Sequence, residues 1–310
     1  MTSGLPVWIR SAREQADIEH SRAGRAATIA RRHEALMTTG PEGMRAVHER
    51  LARIHRVSEE RHLTAAKLHE MHARRLGRWM TTDGDEAERP RLITSVAEMV
   101  NARSAGITLL NSRQSEAAVI SSDTVAAAAQ DLELTLGEGP VHDAAATARP
   151  MVVAPETLMD RWQHYSPAIA ALGVRSLAVV PLGPSEHRVG ALTVFDPSGT
   201  ARPKPLTAKL EVLADAVTHT MLLTDECVTG LLDESAPSAG TPDILDSANR
   251  WLVVHQAAGM VAAQCECSVD NALLLIRAHS FAQNRHVTDV ARSIIDKQLR
   301  LDRGQGESTP

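Results

Sequence analysis

The chain has 310 residues, of which 43% are hydrophobic and only 2% aromatic, with 33 Lys/Arg against 38 Asp/Glu and a formal charge of −5. That length divides into two domains and a further element, with cores built from Ala, Leu, Val, Ile and Met. The acidic balance excludes a protein that coats nucleic acid over its whole surface, so any such contact must be local.

No apolar run approaches the ~18 residues of a membrane span, and Met1 to Arg10 lacks the apolar stretch of a signal peptide. A soluble, cytoplasmic protein without membrane contact is expected. Cys227, Cys265 and Cys267 are odd in number, set no disulfide framework and lack paired zinc-ligand spacing, so no metal site is expected either. Composition breaks at the acidic stretch from Thr81 to Glu88 and at the Pro/Ser/Gly segment from Asp233 to Pro242. These linkers divide the chain into 1–82, 89–228 and 245–303.

The first segment is basic and holds half of the 14 histidines. Thr38, Thr39, Gly40 and Pro41 form a turn between two helical patterns, predicting an αα-hairpin. In the second pattern Met44, Val47, Leu51 and Ile54, then Ala65 and Leu68, recur at steps of three and four, as in an imperfect coiled coil that would form a homodimer. His48, His55, His62 and His69 fall seven apart on one stripe, each ~10 Å from the next. Within one helix they cannot share a metal. They read as a solvated flank of a helix pair, with a metal-binding or pH-sensing stripe as the alternative.

The middle segment alternates helix and strand signals: a helix from Leu92 to Asn101, strands at Gly106 to Leu110 and Ala117 to Ser121, then a turn-rich stretch. Strands at Met151 to Ala154, Ser176 to Leu182 and Val189 to Phe195 follow, and a long helix from Leu206 to Glu226. This is an α+β pattern with a single sheet. The runs Leu136 to Pro140, Arg149 to Val153, Gly173 to Leu182 and Gly190 to Phe195 resemble, in order, a GAF domain of actinobacterial regulators. The resemblance implies an antiparallel sheet flanked by helices and a small-molecule effector whose identity stays unknown. The Asn-Lys-Phe-Asp-Glu pattern of cyclic-nucleotide-binding members is absent. His142 is the candidate polar contact with the pocket; one histidine beside a turn is normally a surface residue, which argues against haem. Gly137, Glu138, Gly139 and Pro140 read as a structural turn, because a phosphate cradle needs backbone N–H groups and Pro140 has none.

The last segment carries three amphipathic patterns: Ala248 to Gln264, a second capped by Ser268, and a third after the turn at Asn284 and Arg285. Val254 to Met260, Asp270 to Ala272, Leu275 to Phe281 and Val287 to Arg292 resemble, without a gap, the ANTAR domain of transcription antiterminators. That implies a three-helix bundle binding paired hairpin loops in nascent mRNA leaders, with no chemistry on the RNA. Arg277, His279, Phe281, Arg285 and Arg292 are the candidate RNA contacts, since unpaired bases stack on aromatic or Arg planes. Three have an ordinary structural alternative, Phe281 as core and Arg277 and Arg292 as solvated charges. Gln256, Ala257, Gly259, Ala272, Ala278 and Ala291 are the motif's other members, assigned to motif or packing, with the small Ala257 and Gly259 letting helices approach. Seven Lys/Arg against six Asp/Glu over 245–303 make the charge signal weak. That weakness supports the alternative of a protein-interaction module.

No phosphate-binding loop, nucleophile elbow, zinc-protease or kinase signature occurs, and no catalytic residue is assigned. The expected protein is a non-enzymatic regulator in which the GAF ligand state or dimerisation controls RNA binding.

Overall fold

The computed structural model describes residues 6–81, 89–110, 116–183, 189–198, 203–223, 242–283 and 285–301. The expected linkers fall almost wholly outside this set.

Helices α1 (Val7–Thr39) and α2 (Arg45–Met80) form the hairpin, joined through Gly40, Pro41 and a short 3₁₀ turn at Glu42–Met44. The α1 seam is a row at steps of three and four, Ile9, Ala12, Ala16, Glu19, Ala23, Ala26 and Ala30, all buried. Alanine at these positions lets the two backbones approach closely. Trp8 and Trp79 close the base edge-to-face, with ring centroids 5.7 Å apart.

The histidine stripe lies in this seam, which corrects the expectation of a solvated flank. His62, His69 and His72 are buried, and His48 and His55 stack on His33 of α1. The helix rotates so that alanines and histidines face α1. Met44 of the turn and Val47, Ile54 and Val57 on the outer half of α2 are left exposed.

The central domain follows: α3 (Leu92–Met99), β1 (Ser104–Leu110), β2 (Glu116–Ser121), α4 (Thr124–Leu136), α5 (Pro140–Thr147), β3 (Met151–Val153), α6 (Pro155–Leu158), α7 (Tyr165–Ala171), β4 (Leu177–Leu182), β5 (Gly190–Phe195) and α8 (Pro203–Leu223). The five strands form one antiparallel sheet in the order β2-β1-β5-β4-β3. Alternation along the strands sorts side chains onto two buried faces. Ala105, Ile107, Ala178, Val180, Leu192 and Val194 pack against α3 and α8, with Leu68 of α2 in the same cluster. The inner half of the hairpin therefore rests on the central domain and is not a free-standing stalk.

The opposite face meets α4, α5 and α7. The stretch after β2, expected to be turn-rich, is helical. Asp123 caps α4 by accepting from the N–H groups of Val125 and Ala126, both at 3.0 Å, and Gly137 ends it in the left-handed region at φ 69°. Both signals stand in the sequence, but the long alanine run between them has little amphipathic contrast.

A close approach fixes the centre of the sheet. A Cβ on Gly190 would stand 2.1 Å from the carbonyl oxygen of Thr108 on the paired strand. Gly190→Ala is expected to lower stability by about 1–3 kcal/mol through forced separation of β1 and β5. Urea denaturation checks this; an unchanged midpoint would mean that the two strands are not so closely apposed.

After the second linker come α9 (Pro242–Cys265), α10 (Val269–Ala282) and α11 (Val287–Ile295). Ser268 caps α10 as expected, its Oγ accepting from the N–H of Asn271 at 3.2 Å. Val254, Ala257, Ala258, Val261, Ala272, Ile276, Val287, Val290, Ala291 and Ile294 form one core. Val119 of β2 and Leu134 of α4 belong to that same core. The bundle thus covers the edge strand β2, whose unpaired backbone would otherwise invite association with another chain. The contact is apolar and direct.

Among the described residues no helix is long and apolar enough to cross a membrane.

Candidate functional sites

Two places gather functional side chains. The first lies under α4. Gln130, 4% exposed, reaches from α4 to the sheet: its amide donates to the Ile107 carbonyl at 3.0 Å and to Thr108 Oγ1 at 3.2 Å, and Ser121 Oγ donates to its oxygen at 2.6 Å. Gly106 leaves room opposite for this arrangement, since a Cβ there would meet the Gln130 amide at 2.7 Å.

One turn further along α4, Glu133 is buried against the start of α5. Its Oε1 accepts from the backbone N–H groups of Val141 at 2.6 Å and His142 at 3.1 Å, and lies 3.3 Å from His142 Nδ1. Pro140 does open a helix there, and the residues after it supply the donors that Pro140 lacks. The chain's own carboxylate takes them, so the Gly-Glu-Gly-Pro turn is filled from within rather than waiting for a phosphate. Gly139 makes this possible, as a Cβ there would strike Glu133 at 2.6 Å. Burial pushes the Glu133 carboxyl up, against the lowering effect of His142 and the two N–H groups. His142 itself is a partly exposed partner of Glu133 at the rim.

Glu138 plays a similar part at α7: it accepts from the N–H groups of His164 at 2.6 Å and Tyr165 at 2.9 Å, and the bond from Tyr165 holds its carboxyl below the usual range. On this side of the sheet Thr193 Oγ1, Ser166 Oγ and Trp162 Nε1 are buried with no hydrogen-bond partner among the described residues. Buried polar atoms of that kind are uncommon and mark a place where a polar guest would find donors. Sequence reading named only His142 here; Gln130 and Glu133 were masked because α4, which carries them, was not recognised.

The second place is the outer surface of the C-terminal bundle. Ala257, Ala272 and Ala291 are fully buried at helix contacts, in keeping with their expected packing role. Gln256, Gly259 and Ala278 are exposed, and a Cβ on Gly259 would meet nothing within 4 Å. A packing role for Gly259 and Ala278 is therefore corrected: the contact faces of α9 and α10 are turned away from them. Arg292 is exposed and lies 3.6 Å from Asp289. Arg285 folds back along α11, donating to Ser293 Oγ at 2.9 Å and to the Asp289 carbonyl at 3.4 Å. Arg285 and Arg292 thus share the outward face of α11. Arg277 and His279 are half-buried on α10, and the side chain of Phe281 lies outside the described residues. The α10 surface also exposes Leu274, which sequence reading did not single out.

Helix α4 joins the two places. Gln130 and Glu133 face the sheet and α5, while Leu134 packs into the bundle core and Asp131 lies 3.8 Å from His286, beside the start of α11.

The match with known proteins falls on the central domain. Residues 90–222 match the GAF domain family. Among solved structures, the chain is similar to the GAF domain from Acinetobacter phosphoenolpyruvate-protein phosphotransferase, at 14% identity and a TM-score of 0.27, covering 52% of this chain and 96% of that one. Comparison with curated proteins gives no match.

Proposed function

We propose, from the premise that residues 90–222 are a GAF sensor domain, that the chain is a signal-responsive, RNA-binding antitermination regulator of the cytoplasm and not an enzyme. The observation that carries this reading is the shared helix α4, on which Gln130 and Glu133 hold the polar centre of the sensor and the adjoining Asp131 and Leu134 meet the terminal bundle. A small polar effector that takes up Thr193, Ser166 or Trp162 would shift α4 through Gln130 and Glu133. The bundle would feel that shift through Leu134 and Asp131.

The RNA-binding half of the proposal rests on the ANTAR resemblance of Val254 to Arg292, with Arg292 outward on α11, Arg285 lying along that helix from the turn before it, and the half-buried Arg277 and His279 on α10. Hairpin-loop bases would meet Phe281 and these side chains. The exposed row Val47, Ile54 and Val57 on α2, continued by Met44 in the turn before it, suits homodimerisation. A dimer would offer two bundles to a two-hairpin leader, raising affinity through effective concentration.

The test is a gel shift of the full chain with a two-hairpin leader RNA from its own genome. Phe281→Ala is expected to cost about 1–3 kcal/mol of affinity without loss of fold. Arg292→Ala is expected to reduce the salt slope by about 0.7–0.9. Binding at low salt that ignores the loop bases, or no binding, would end the RNA reading. The exposed Leu274 and Ala278 with the weak charge then favour the second one, a bundle that binds protein.

A further inference from the structure

Glu19 is out of character in its surroundings. It occupies a seam position of α1 between Ala16 and Ala23 and is 3% exposed. A carboxylate is buried at a cost unless positive charge and hydrogen bonds compensate it. Two elements besides α1 supply such groups. His62 of α2, also buried, places Nδ1 at 2.6 Å from Glu19 Oε2. His219 of α8 places Nε2 at 3.8 Å from Glu19 Oε1. The two imidazoles meet edge-to-face, with centroids 4.8 Å apart.

The 3.8 Å separation is too long for a hydrogen bond. His219 Nε2 is nevertheless buried, with no hydrogen-bond partner among the described residues. One ligand atom from each of the three residues lies within 4.8 Å of the others. Ligands held at ~2.0–2.1 Å around a tetrahedral ion stand roughly 3.3 Å from one another, against an upper limit of 4.8 Å between the three ligand atoms here. Small rotations would bring all three onto one centre.

We infer that Glu19, His62 and His219 form a binding site for a divalent transition-metal ion of the zinc class, tying the amino-terminal hairpin to the last helix of the sensor. Two imidazole nitrogens and one carboxylate oxygen are a donor set that zinc takes with a further position left open. Arg22 acts as an outer partner: its guanidinium bonds Glu19 Oε1 at 2.5 Å and turns Oε2 toward His62. Three protein ligands from α1, α2 and α8 make the ion a cross-link between elements distant in sequence. An exchangeable fourth position suits reversible occupancy, so the metal would set how firmly the hairpin is held. The heptad spacing alone could not show this, because the ligands come from three helices. A second histidine group, His33 with His48 at 3.0 Å and His55, does not bring three ligand atoms within the same reach and provides a control.

The experiment uses the full chain stripped with a chelator, then titrated with zinc against a chromophoric competitor. One zinc per chain is expected, with a rise in melting temperature. Cobalt substitution should give visible bands of nitrogen and oxygen ligation without thiolate charge transfer. His219→Asn and Glu19→Gln should each weaken binding by at least about a hundredfold, while His48→Asn leaves it unchanged. No stoichiometric zinc, a thiolate band pointing to Cys265 and Cys267, or undiminished binding in His219→Asn would overturn the site. Should that variant fail to fold, the imidazole nitrogen resonances of His219 and His62 in the native chain decide: a zinc-dependent shift of both supports the site, and unchanged resonances refute it.

Discussion

Leu134→Ala, a substitution inside the sensor domain, is expected to loosen the C-terminal bundle. Leu134 is fully buried in the core otherwise made by α9, α10 and α11 with Val119. Truncating a buried leucine removes its transfer free energy and leaves a cavity, costing about 2–5 kcal/mol. Because the lost contacts lie across the joint, much of that cost should fall on docking of the bundle. Hydrogen exchange of the amides in 254–265 and 287–294 should accelerate markedly, with smaller changes in β4 and β5. Unchanged exchange in the bundle would show that it does not depend on the sensor for its stability. If the proposed coupling through α4 holds, the same variant should also lose the effector dependence of RNA binding while keeping the binding.

The second large effect is an acid sensitivity centred on His72. This side chain is buried, and burial first, then the neighbouring His69, Arg89 and Arg75, pushes its pKa down to about 4. In the unfolded chain it titrates near 6.5. Between those values the unfolded state binds a proton that the folded state refuses, so lowering the pH favours unfolding. Stability should be full above pH 6.5 and decline toward pH 4, by up to about 3 kcal/mol from this residue. His69, pushed down by burial despite the raising effect of Glu19, contributes with the same sign. Urea midpoints at pH 7.5, 6 and 5 measure the decline, and His72→Leu should flatten it. A native profile already flat over that window would refute the buried neutral state of His72.

Both predictions depend on contacts between segments, and this is where the sequence and the structure part. The strands of the single sheet were legible, because segments such as Gly190 to Phe195 are short, apolar and bounded by breakers, while their antiparallel order was implied by the GAF resemblance. The hairpin was legible from Gly40 and Pro41, and α10 from Ser268. Helix α4 was not: an alanine-rich stretch has no strong amphipathic period, and its cap Asp123 and terminator Gly137 sit in a region crowded with turn residues. Missing α4 hid Gln130 and Glu133, so the candidate pocket was reduced to His142.

Local sequence determined the elements and the family resemblances, because propensity, capping and turn chemistry act over a few residues. It also determined that His48, His55, His62 and His69 share a stripe. Only the tertiary structure decided what the stripe faces, since rotation about the helix axis is set by the partner surface, here the alanine row of α1. The same holds for the segment between sensor and bundle. Its composition suggested two loosely tied domains, whereas Val119 and Leu134 lie in the bundle core. Burial of apolar surface between parts distant in the chain brought them together, and no local pattern encodes it.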